Sequence, residues 1–174
     1  MNIVVEIVGM DALRARLDAI SMGSARAMRL GSLKTCQRIE RSAKIYCPVK
    51  TGYLRSSILA ETLGEDGAMV SAGGSYRGTH GVMRDVQYAV YVEYGTGIYA
   101  AGPGGSRAKH IPWTYFDGKG FHKTSGMRPS WFFTKAVENN MNWWSIDVHN
   151  EVQKLLDDSA TGSVGSSGGG EVYD

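Results

Sequence analysis

Apolar residues recur at spacings of three and four along the first quarter of the chain: Leu13, Leu17 and Ile20, then Leu30, Leu33, Cys36, Ile39, Ala43 and Tyr46. Such spacing gathers one stripe on one side of an α-helix. It predicts a long helix that starts after an N-cap at Asp11 and runs to Tyr46. Pro48 sets the end, because the residue before a proline is pushed out of the α region. Gly23 and Gly31 are expected to break or bend it. A second stripe comprises Phe133, Val137, Met141, Trp144, Val148, Val152 and Leu155, at spacings of 4, 4, 3, 4, 4 and 3. It predicts one last helix opened by Pro129 and Ser130, with Trp144 in mid-stripe and expected in the core.

Between the helices the pattern shortens to that of strands. Residues 58–63 and 68–72 flank a Gly-Glu-Asp-Gly turn and predict a hairpin. Residues 111–116 and 121–124 flank Asp117-Gly118-Lys119-Gly120 and predict another, carrying Trp113, Tyr115, Phe116 and Phe121. Residues 2–8 are β-branched and read as a short strand. Residues 73–81 and 98–107 are glycine-rich and read as loops, while residues 86–93 fit either a strand or a short helix. From Ser159 onward Gly, Ser, Thr and Ala dominate, so the expected organisation is one domain over residues 1–158 and a flexible tail over 159–174. The fold class expected is α+β: a mixed or antiparallel sheet with long N-terminal and C-terminal helices packed on it.

Charge alters this picture more than composition does. The 174 residues carry a net charge of +2, yet residues 1–55 hold ten Lys/Arg against four Asp/Glu, and residues 129–174 hold two against seven. A basic front and an acidic back can complement each other between neighbouring copies, and the basic helix can face DNA. Cys36 and Cys47 fit no metal spacing and imply no disulfide framework. No run approaches the roughly 18 apolar residues of a membrane span, and no charged leader precedes an apolar one, so a soluble protein with no membrane partner is expected.

The motifs of common chemistry fail one by one. His80, His110, His122 and His149 form no H-x-x-x-H or H-E-x-x-H, so no metal is expected. His110 and His122 are the pair that a hairpin would bring closest. Gly118-Lys119 is followed by Gly120 and not by Ser or Thr, so no phosphate loop forms, and no G-x-S-x-G elbow marks a hydrolase. No cofactor is expected. Glu93, set among Tyr88, Tyr91 and Tyr94, lacks a partner carboxylate at a catalytic spacing and reads as half of a structural ion pair with Arg55 or Arg128.

Three segments carry the most information. The first is Pro48-Val49-Lys50-Thr51-Gly52-Tyr53-Leu54-Arg55-Ser56-Ser57-Ile58. Here the proline stops the helix, Thr51 can cap a new turn, Gly52 permits close backbone approach, and Leu54 and Ile58 share a face. The second is Tyr88-Ala89-Val90-Tyr91-Val92-Glu93-Tyr94-Gly95-Thr96, and the third is Met127-Arg128-Pro129-Ser130-Trp131-Phe132. In this order, between two long helices, they resemble the small neck and tail-completion proteins that join head to tail in long-tailed bacteriophages. The resemblance spans roughly residues 10–158.

That resemblance implies a non-enzymatic virion subunit, assembled in the host bacterial cytoplasm into a ring of about six copies at the head–tail junction. The implied neighbours are head-connector and tail-tube or tail-terminator proteins, with DNA passing through the lumen. It also implies a short helix over the second segment. Interface positions expected on this reading are Lys50, Thr51, Gly52, Arg55, Glu93, Trp113, Tyr115, Phe116, Phe121 and Arg128. The rival reading is a nucleic-acid-binding module using Arg14, Arg16, Arg26, Arg29, Lys34, Arg38, Arg41 and Lys44, whose charges are spread around the helix and lack a recognition motif.

Overall fold

The computed structural model describes residues 10–77, 83–105, 107 and 110–161. The strand expected over residues 2–8, the tail from residue 162 and His80 lie outside the described residues. The rest is mixed helix and sheet, the α+β class expected. Five helices and six strands run in the order α1 (Met10–Tyr46), α2 (Tyr53–Ser56), β1 (Leu59–Leu63), β2 (Gly67–Ser71), β3 (Gly74–Arg77), β4 (Met83–Val86), α3 (Ala89–Tyr94), β5 (Trp113–Phe116), β6 (Phe121–Thr124), α4 (Phe132–Asn140) and α5 (Trp143–Thr161).

Helix α1 is the spine. Its 37 residues extend about 55 Å at 1.5 Å per residue, and neither Gly23 nor Gly31 interrupts it. Both glycines are contact points. A Cβ on Gly31 would lie 2.5 Å from the Cα of Val148, and one on Gly23 would lie 2.5 Å from a methyl of Leu155. The backbone of α5 therefore passes against α1 where a larger residue would hold it off. That packing offsets the ~1 kcal/mol that glycine costs inside a helix.

The buried face of α1 also differs from the stripe of large apolar residues. Ala27, Gly31, Thr35, Ile39, Ala43 and Cys47 are buried and Gly23 is half-buried, so the covered positions fall every four residues. A step of four residues overshoots a full turn by about 40°, and the buried face winds around the helix as it climbs. One helix thereby serves different partners at different heights. Leu155 and Val148 of α5 meet its first half, and Asn140 and Asn139 of α4 donate to Ser42 and Tyr46 further on. Hairpin β1–β2 is pinned to the last third, where the Glu40 carboxylate accepts the Ala60 N–H at 3.0 Å. Leu13 and Leu17, by contrast, stay exposed.

The last helix is two helices. Chain direction shifts at Met141 and Asn142, after Asn139 and Asn140. Asparagine competes with the helical backbone for hydrogen bonds, and Asn140 Nδ2 donates both to Ser42 Oγ and to the Ala136 carbonyl. Trp144 consequently leaves the core: it is 42% exposed, and its indole N–H donates to Ser32 Oγ at 3.1 Å. At its far end α5 runs to Thr161, and the Ser159 carbonyl accepts from Arg16 Nε at 3.1 Å. The expected tail thus begins at least three residues late.

No single sheet forms among the described residues. The strands make three separate antiparallel pairs, β1–β2, β3–β4 and β5–β6. Each is a local hairpin, and the largely exposed β1 has no second face to offer another strand. Strand β3 occupies part of the stretch expected to be loop, pairing Gly74 with Val86 and Tyr76 with Arg84. The core lies where α1, α2, β4, α3 and α4 meet: Ile39, Ala43, Cys47, Leu54, Ile58, Val86, Ala89, Phe132 and Ala136.

Candidate functional site

The three information-bearing segments converge on that core. In the first, Leu54 and Ile58 are buried on one face, as their spacing requires. Gly52 adopts φ 80 at the start of α2, with no atom close to its Cα face. It is there for a left-handed backbone, which glycine adopts without steric cost, and not for close approach. Thr51 is exposed and caps nothing, because Gly52 occupies the N-cap position and no side chain bonds there. Instead Ser57 ties the turn together, its hydroxyl donating to the Leu54 carbonyl and accepting the Gly73 N–H at 3.0 Å.

The second segment is the short helix α3, as the resemblance implied. Ala89 and Glu93, four apart, turn inward. After it Gly95, at φ 75, lies so close to the Met127 carbonyl and Pro129 that a Cβ would come within 2.7 Å of the former. The third segment runs alongside. Val92 and Glu93 accept the N–H groups of Ser130 and Trp131, and Thr96 donates its N–H to Met127. The hydroxyl of Ser130 adds a further bond to the Val92 carbonyl at 2.9 Å.

Glu93 is the hinge of the arrangement. It is 5% exposed, and its two carboxylate oxygens accept the backbone N–H groups of Phe133 and Thr134, each at 2.9 Å. Those groups belong to the first turn of α4, where backbone donors lack helical partners and the helix dipole favours negative charge. The expected ion pair with Arg55 or Arg128 is therefore replaced by a helix cap reaching across from another element. Trp131, the residue just before α4, has φ 54, a conformation that a bulky side chain occupies only under surrounding constraint. Its ring packs edge-on against Tyr94, centroids 5.5 Å apart. The loop over residues 98–105 closes over both, the Ala101 N–H bonding to the Tyr94 carbonyl at 2.8 Å.

The outward-facing members stay accessible. Lys50, Thr51 and Arg55 are exposed, and exposed Arg128 lies over the Tyr99 ring at 5.2 Å. The first and second segments enclose an apolar cavity of about 400 Å³, lined by Pro48, Val49, Leu54, Tyr88, Tyr91 and Met127 among others. The aromatic hairpin β5–β6 lies apart from the core. Trp113 at its base is half-buried, whereas Tyr115, Phe116 and Phe121 are 49%, 60% and 80% exposed. Register pairs Phe116 with Phe121 and Tyr115 with His122, so one face carries the phenylalanines and the other the tyrosine and histidine.

Histidines do not converge. His122 Nε2 contacts Asp117 at 2.9 Å, His110 and His149 are exposed, and no group of three His, Cys, Asp or Glu clusters among the described residues. Asp117 is held below the usual carboxylate range, first by the Lys119 N–H, with Gly120 and His122 adding to it. Burial raises the thiols of Cys36 and Cys47, the latter partly offset by the Arg55 charge.

The basic front and acidic back meet inside the chain. Lys34 pairs with Glu151, and Arg38 Nε and Nη2 reach the two oxygens of buried Asp147, both at 3.2 Å. Asp147 also accepts the Thr35 hydroxyl at 2.9 Å. Hydrogen bonding from Lys34, then from Lys154, lowers the pKa of Glu151. Of the eight α1 cations, Arg16, Lys34, Arg38 and Lys44 have such partners. Asp147, Glu151 and the every-fourth small residues of α1 went unmarked in the sequence. The run Gly23, Ala27, Gly31, Thr35 was the visible signal for them. Comparison with family models, curated proteins and solved structures returns no match.

Proposed function

We propose that this chain is a structural virion subunit that forms a ring at the head–tail junction of a long-tailed bacteriophage, completing the tail or joining it to the head. One observation carries the reading. The three segments that resemble the neck and tail-completion family are bonded into one unit, and Glu93, the residue most open to a catalytic interpretation, spends both oxygens on the backbone of α4. Their inward residues build the core and their outward residues, Lys50, Thr51, Arg55 and Arg128, form a rim available to neighbours. The neighbours on this reading are further copies of the chain, a head-connector protein and a tail-tube or tail-terminator protein, with DNA in the lumen.

The rival nucleic-acid reading draws on the α1 cations, and half of those named for it are engaged within the chain. Arg55→Glu tests the ring reading directly, because Arg55 is exposed and outside the core. The variant should keep the wild-type melting temperature while the yield of infectious particles falls at least tenfold, with unjoined heads and tails visible by electron microscopy. Normal particles from this variant, together with salt-sensitive DNA retention by the wild type, would transfer the proposal to the rival.

A further inference from the structure

A two-stranded hairpin is marginally stable in water unless something covers it. Hairpin β5–β6 nonetheless presents its Phe116–Phe121 rung, ring centroids 5.2 Å apart, at 60% and 80% exposure beside its turn. The same chain carries an apolar cavity of about 400 Å³ between Val49 and Tyr91, and neither Phe116 nor Phe121 lines it. An apolar cavity of ~150 Å³ holds one benzene ring, so this one has room for two. Tyr88 and Tyr91 in its wall supply edges and faces for aromatic stacking.

Charge follows the same pairing. Lys50 and Arg55 stand at the cavity, no acidic residue lines it, and neither cation makes a salt bridge among the described residues. Asp117 follows Phe116 directly and begins the hairpin turn. Lys119 and Lys123 also lie on the hairpin, so the match is confined to the carboxylate next to the phenylalanine rung.

From this complementarity we infer that the Phe116–Phe121 rung of one copy seats in the Val49–Tyr91 cavity of the next, a head-to-tail contact between identical chains. A contact between two different patches propagates, closing into a ring when its rotation allows and never pairing off as a symmetric dimer does. The inference rests on the ring reading above and names the contact that would build it.

Complementation between two damaged surfaces tests it. Phe116→Asp with Phe121→Asp spoils the rung, and Val49→Asp spoils the cavity; all three sites are exposed, and circular dichroism with melting temperature verifies folding. By analytical ultracentrifugation the wild type should form closed multimers. Each variant alone should weaken association by on the order of a hundredfold. An equimolar mixture should restore one contact only, giving a species of two chains and nothing larger. Association that survives in either variant, or a mixture that stays monomeric, overturns the contact and leaves the ring reading to the particle assay. A wild type monomeric at high micromolar concentration overturns the contact as well, and that assay, run independently, still decides the virion reading.

Discussion

Glu93→Gln asks how much of the fold one carboxylate holds. The wild-type side chain accepts two N–H groups from the first turn of α4 at 2.9 Å each, in a site only 5% exposed. Hydrogen bonds to a charged group are worth about 1.5–3 kcal/mol net, and a buried donor left without a partner costs about 1–3 kcal/mol. Glutamine keeps one acceptor oxygen and turns an NH2 toward the other donor, so one bond is lost and one N–H is orphaned. The expected loss is about 2–3 kcal/mol. Alanine removes both acceptors and should cost about 3–5 kcal/mol, the range seen when a buried charged partner is removed.

Urea unfolding followed by tryptophan fluorescence reads this directly, since Trp131 lies beside the cap. With a slope of about 1–3 kcal/mol per molar urea, glutamine should lower the midpoint by about 1–2 M. Glu61→Gln on the exposed strand β1 is the control, expected within about 0.5 kcal/mol of wild type. A Glu93→Gln midpoint as close to wild type as that control would refute the reasoning. The carboxylate would then not anchor α4, and the structural account of the second segment would fail.

Gly31→Ala should destabilise by about 1–2 kcal/mol by thermal melting, because overpacking against the immovable Val148 backbone exceeds the ~1 kcal/mol gained in helix propensity; Gly23→Ala, which meets only the movable Leu155 side chain, should be neutral or slightly stabilising. Glu151 has a folded-state pKa below its ordinary value of 4.5, so its contribution is complete above that value and disappears as pH falls through the lowered one. Stability measured across the acid limb should therefore drop less steeply in Glu151→Gln than in the wild type, and identical slopes would count against the Lys34 pairing.

The elements legible in the sequence were those set by local chemistry. Pro48 ended α1 where expected, and the turns at residues 64–66 and 117–120 made the hairpins that their glycines and acids predicted. Leu54 and Ile58 turned inward together because a four-residue spacing in a helical turn leaves no alternative. What depended on partners was misread. Large apolar residues drew the stripe of α1 toward Leu13 and Leu17, while burial followed small residues that let another helix approach closely. The heptad-like stripe of the last helix was real in spacing yet cut by an asparagine cluster whose amides preferred Ser42 and Tyr46. Glu93 was marked as important for its setting, but its partners are backbone groups forty residues away, and backbone donors leave no trace in residue type.

The three segments therefore divide by direction, and the division explains why one motif can serve both folding and assembly. Leu54, Ile58, Ala89, Glu93 and Phe132 face inward, and any change to them is felt first as lost stability. Lys50, Thr51, Arg55 and Arg128 lie beside them in sequence yet face solvent, where substitution of a charge typically moves stability by less than about 0.5 kcal/mol. An enzyme built on the same segments would place its sensitive exposed residues around a reacting atom, so that charge reversal at the rim would abolish turnover in the isolated chain. A ring subunit places them against a neighbour, and the same reversal leaves the isolated chain intact while assembly fails. Stability and assembly should thus separate cleanly between two sets of adjacent residues. The sharpest comparison is the pair Leu54→Ala and Arg55→Glu: the first, at a fully covered side chain, should cost about 2–5 kcal/mol, and the second should cost almost nothing until a second copy is present.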